Sequence, residues 1–297
     1  MTTISVWRFY VKEIFRRWEF WILAIILTVF WQSTGAYIFS RYSIPLEVRQ
    51  RISVEVLRKV ALLYTGGWYG SAALFMLSFI AVALVHIICH SIVAVRYLSK
   101  YSRVSASKLF TGLALAALTA VFIAMFFLLG STVIFYSHEF YDLKELLTPK
   151  NYLGIIAVTV AGGLFTYFLS MTLALLVVIL KKPRMLTPIS FVPIMLAFVL
   201  GYTAEYAENI EIQVLPFALI TRLSEHYYSN ITIDITKPSV KVLIAEIKRL
   251  ETSVDLLNPI DPLLVWFILI GWITLFTLIS TLLFKRQKGI NIEEIIG

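Results

Sequence analysis

His86 and His90 stand four residues apart with Cys89 between them, in a stretch otherwise free of titratable groups. In a helix that spacing puts both imidazoles on one face, the arrangement of a zinc or copper ligand pair. A haem between the two is excluded, because axial ligands approach opposite faces of the macrocycle. No glutamate or second histidine-bearing stretch accompanies the pair. Packed or water-bonded imidazoles are therefore the simpler reading, and no metal is assigned. The chain has no HExxH, paired-carboxylate or Ser/His/Asp pattern, and no G-x-x-x-x-G-K-[ST] loop for nucleotide phosphates. It is not read as an enzyme, and no cofactor is expected in it.

The elements that carry these residues are set by solvent. Of 297 residues 59% are hydrophobic and 15% charged, against about 25% charged in soluble domains. A single cysteine excludes disulfides within the chain, so helix packing in lipid must supply the stability. Each charge at a bilayer centre costs roughly 2.5–3.5 kcal/mol on insertion scales. Uncharged runs therefore mark the spans: Phe20 to Ser40, Val60 to Val95, Leu109 to His138, Asn151 to Leu180, Met185 to Ala204 and Pro262 to Phe284. They predict an all-α integral membrane protein, a single domain over 1–297, with spans near 20–40, 67–95, 109–136, 152–180, 185–204 and 262–284. The first run exceeds a signal-peptide core and reads as a retained span. A seventh run, Ile212 to Thr221, has half the needed length and contains Pro216; it reads as interfacial or re-entrant.

Six spans put both termini on one side. The N-terminal segment, Arg96 to Lys108, Lys181 to Arg184 and the tail from Lys285 sum to +10, and the other side to −2. The positive-inside bias makes the first set cytoplasmic, in a cell membrane, and accounts for the net charge of +8 without nucleic acid. One loop disagrees: Arg41 to Lys59 holds Arg41, Arg49, Arg51, Arg58 and Lys59 against Glu47 and Glu55. In residues 1–19, Ile4, Trp7, Val11, Phe15 and Trp18 recur at helical spacing with Arg8, Lys12, Arg16 and Arg17 elsewhere, which predicts a helix lying on the bilayer surface.

The segment 205–261 carries Val240, Leu243, Ile247, Leu250, Val254 and Leu257, an apolar seam behind a candidate N-cap, Ser239. This predicts an external helix packed on its own loop or on the membrane surface. Asn230-Ile231-Thr232 fits a glycosylation sequon, with Asn230 as acceptor. Gly66-x-x-x-Gly70 permits either close helix approach or a turn into the membrane, and Ala161, Gly162 and Gly163 permit close approach in the fourth span. Within these bounds no span contains Asp, Glu, Lys or Arg, the groups that ion-coupled transporters use as relays. Any active transport must draw energy from another subunit.

An N-terminal amphipathic helix (WRFYVKEIFRRWEFW), a basic loop after the second span (RYLSKYSRVSASKLFTG), a short basic loop after the fourth (KKPRM) and a tail beginning FKRQKG together resemble the type-2 ABC exporter permeases, over essentially the whole chain. The acidic residue and Gly-Thr that often precede the basic stretch in that family are missing from HSIVAVRYLSKYSRVSASK. The resemblance implies a permease subunit paired with a second copy or paralogue in the lipid bilayer. It also implies a separate ABC-type ATP-binding subunit, which would hold the ATP and dock on Arg96, Tyr97, Lys100, Arg103 and Lys108. Uncharged spans favour an apolar or amphiphilic cargo. The rival reading is a membrane anchor or assembly subunit of a larger complex, which uncharged spans fit equally.

Overall fold

A computed structural model describes residues 2–101, 106–252 and 257–286, with backbone alone at 48, 93–101, 106 and 249–252. Among the described residues every regular element is helical. The elements are α1 (Thr3–Arg16), α2 (Phe20–Ser43), α3 (Leu46–Arg51), α4 (Val54–Tyr101), α5 (Ala106–Glu139), α6 (Tyr152–Leu180), α7 (Pro183–Tyr206), α8 (Pro216–Ser229), α9 (Ser239–Thr252) and α10 (Pro262–Arg286). Six of them, α2, α4, α5, α6, α7 and α10, are long and apolar enough to cross a membrane, and they fall where the uncharged runs predict. The chain is a multi-pass helical membrane protein. Two spans are uneven for identifiable reasons. α2 widens into π-helical turns at Phe20–Leu27 and Gly35–Phe39, and α7 carries Pro188 and Pro193 before a π-turn at Ala197–Gly201.

The centre of the bundle is α4, whose apolar stretch is 78% buried, against 33% for α2, 22% for α7 and 17% for α10. Those three form the periphery and expose large apolar side chains, among them Phe30, Phe198 and Phe267. Small residues let α4 and α6 meet closely. A Cβ on Gly162 would lie 2.6 Å from Leu77 of α4, and one on Gly163 3.1 Å from Leu118 of α5, so α6 is wedged between both. Close approach, not a turn, is also the role of Gly66 and Gly70, because α4 runs through them unbroken for 48 residues. At 1.5 Å per residue α4 is about 72 Å long, more than twice the ~30 Å of a hydrocarbon core.

α1 starts at the Thr2 cap and stops where Arg17 turns extended. Its buried face is Val6, Tyr10 and Ile14, one step round from the anticipated stripe; Trp7, Val11 and Phe15 are partly buried, while Ile4 and Trp18 stay exposed. The face turns because α5 offers a docking groove. A Cβ on Gly112 would stand 2.6 Å from Val6, and the Trp7 indole donates to Thr119 at 3.0 Å. The last turn of α10 reaches the same end of the bundle, where Phe284 meets Phe110 edge-on.

α8 gives the seventh apolar run its form. Pro216 opens the helix at a position that needs no N–H, and Asn230 closes it in the left-handed region. Twelve of its 14 residues are buried. Its first turn reaches the middle of the spans: Phe217 packs edge-on against Phe165 of α6 at 5.5 Å, and the Trp272 indole of α10 donates to the Val214 carbonyl at 2.9 Å. Its last turn lies level with the start of α6, where the Lys150 and Asn151 amides donate to the Tyr228 and Tyr227 carbonyls, both at 2.9 Å. This is a half-span re-entrant helix, antiparallel to α4.

α9 packs on its own chain. Val242 and Ala245 join Leu63, Ile231 and Leu257, with Leu243 and Ile247 at the edge. The buried face lies about one residue off the anticipated seam because Glu246 turns inward to accept from the Thr232 amide at 3.1 Å. Ser239 is the first helical residue and not the cap, and its hydroxyl serves α8. The side chains of Leu250 and Val254 lie outside the described residues.

Candidate functional site

Re-entry carries two charged side chains into the bundle. Arg222 and Glu225 sit three residues apart on α8, 3% and 4% exposed. Arg222 donates to the Gln213 side-chain oxygen at 3.0 Å and to the Lys237 carbonyl. Gln213 in turn donates to the Ala204 carbonyl at 2.6 Å and the Ala207 carbonyl at 3.1 Å, tying Arg222 to the end of α7. Glu225 accepts from Ser239 at 3.3 Å, which ties it to the start of α9. Beside it, the Ser71 hydroxyl of α4 donates to Glu205, the last acid of α7. One polar layer therefore joins α4, α7, α8 and α9.

Two glycines make room for this layer on α4. A Cβ on Gly70 would stand 2.7 Å from Glu225 Cγ and 2.9 Å from the Thr221 carbonyl oxygen, and one on Gly66 2.8 Å from Ser229.

A second buried charge pair lies at the α2, α3 and α5 junction. Arg49 donates to Glu139 Oε1 at 3.1 Å and to the carbonyls of Glu139 and Ile44, and its guanidinium stands 4.4 Å over the Phe140 ring. Ser40 donates to the same carboxylate at 3.1 Å, and Arg41 lies 3.7 Å from it. Arg58 pairs with Glu145 and Lys59 with Glu55. Four of the five basic residues in the discordant segment 41–59 thus lie beside an acid, two of them sharing Glu139.

The residues singled out from sequence lie elsewhere. Arg96, Tyr97 and Lys100 continue the backbone of α4, so most of the anticipated loop is helix; their side chains, and Arg103 entirely, lie outside the described residues. Lys108 is exposed in the first turn of α5. His86 is half-buried and His90 exposed on α4, and the charges acting on them are Arg17, Glu19 and Glu13, near α1. Among the described residues no three His, Cys, Asp or Glu gather as a metal site. Asn230 is exposed with φ 60°, while both the amide and the hydroxyl of Thr232 bond Glu246.

Arg222 and Glu225 escaped sequence reading because they belong to a segment too short and too polar to count as a span. The available signal was their spacing of three among Phe217, Leu219, Ile220 and Leu223, directly after a helix-opening proline. No family model and no curated protein matches the chain.

Proposed function

We propose that this chain is the permease subunit of an ABC-type exporter, working with a second copy or paralogue and driven by a separate ATP-binding subunit docked on the segment 96–108. The observation that carries this reading is α4. A single unbroken helix holds Arg96 and Lys100 near one end and, through Gly66, Gly70 and Ser71, seats the re-entrant helix and its polar layer near the other. Force applied at the basic end reaches the α8 seat without crossing a hinge, the requirement for a distant ATPase to open and close a path. A cytoplasmic location of that end, in the cell membrane, follows the charge bias. The segment 41–59 is the one basic stretch that runs against that orientation, outweighed by the three basic segments that support it.

The test replaces Arg96, Lys100 and Arg103 together by Gln. Insertion is expected to survive, because eleven other Lys or Arg remain on the same side. Transport-coupled ATP turnover with the copurified ATPase is expected to drop by roughly tenfold or more, since charge pairs fix the register of such contacts. Unchanged coupling in the triple variant, or no ATP-binding protein retained under mild detergent, would favour the anchor reading instead.

A further inference from the structure

α1 presents a second face that the fold leaves open. With Val6, Tyr10 and Ile14 buried on the bundle, Arg8, Lys12 and Arg16 fall at one-turn steps along the outward side, all exposed. Ile4 and Phe9 flank this stripe, 61% and 56% exposed, and Trp18 and Trp21 stand exposed beyond its end. The neighbouring acids face elsewhere: Glu13 is half-buried and acts on His90, and Glu19 pairs with Arg17 at 3.9 Å. The helix cannot roll to hide the stripe, because the Val6 seat on Gly112 and the Trp7 bond to Thr119 fix its rotation.

We infer that this face is a binding surface for anionic phospholipid headgroups. Its three cations in line complement lipid phosphates carrying net negative charge, and the flanking Ile4, Phe9 and Trp18 enter the acyl boundary beside them. A zwitterionic lipid satisfies the apolar part alone. Each Lys or Arg near an anionic surface strengthens binding roughly fivefold, so three give a preference of about a hundredfold, weakened by salt. The inference does not depend on the transport reading.

The experiment titrates the purified full-length chain in detergent with phosphatidylglycerol and, in parallel, phosphatidylcholine, reading retained lipid by native mass spectrometry. The wild type is expected to favour phosphatidylglycerol about a hundredfold. The R8Q/K12Q/R16Q variant should approach parity, with its thermal midpoint unchanged in phosphatidylcholine because the altered side chains are exposed. A charge-conserving R8K/K12R/R16K variant, and a K181Q/K182Q/R184Q control, should keep the preference. Equal wild-type affinity for the two lipids, or full preference in R8Q/K12Q/R16Q, would overturn the assignment. Displacement of the lipid by glycerol phosphate at the same concentration would also overturn it, in favour of a soluble anion.

Discussion

Gly70→Leu is expected to unseat α8 and to cost at least about 3 kcal/mol, the upper range for overpacking a fitted interior. The clash is with backbone as well as with the Glu225 side chain. A Cβ at this position already approaches the Thr221 carbonyl oxygen to 2.9 Å, and backbone cannot rotate aside as a side-chain tip can. Moving α8 away would break the contacts of Arg222 and Glu225, leaving both charges facing an interior that no longer satisfies them. The thermal midpoint in detergent should collapse, and trypsin should cut after Arg222, a bond buried in the wild type. Gly67→Ala is the control. No atom lies within 4 Å of its added Cβ, so an alanine there should be neutral or stabilising by about 0.5–1 kcal/mol. Equal behaviour of the two positions would refute the seating role of Gly70.

Arg49→Ala should destabilise by about 3–5 kcal/mol, the cost of leaving a buried carboxylate without its partner. Arg41 shares the same Glu139 oxygen but is 68% exposed, so its contact is screened and cannot substitute. Arg49→Lys should recover little, because an ammonium cannot reproduce the fork that reaches Glu139 and the Ile44 carbonyl together or stack on Phe140. A double-mutant cycle with Glu139→Ala should return a coupling of several kcal/mol, read from denaturation midpoints. Additive single effects would show that the pair is incidental.

The spans were legible because charge is so costly in hydrocarbon that a run of about twenty residues without it marks a crossing. Helix packing was partly legible: Gly66 and Gly70 announce a close neighbour, yet nothing local names α8, about 155 residues later in the chain, as that neighbour. Arg49 and Glu139 are separated by 90 positions and share no pattern, so nothing in the sequence signals that four of the five basic residues in 41–59 lie beside acids. The inner face of α1 was missed by one step because its apolar arc, from Ile4 and Trp7 round to Val6, Tyr10 and Ile14, is wider than the strip that α5 covers. Hydropathy cannot distinguish the arc docked on α5 from the arc left to lipid.

Re-entry also bears on the order in which the chain is made. α8 leaves the ribosome before α10, yet the Trp266 indole of α10 bonds its Tyr227 hydroxyl and the Trp272 indole bonds the Val214 carbonyl just ahead of it. Its pocket is therefore complete only after the final span has inserted. In the finished fold Arg222 and Glu225 are enclosed by protein and not by lipid, so a helix that no hydropathy scale would accept as a span can sit among the spans.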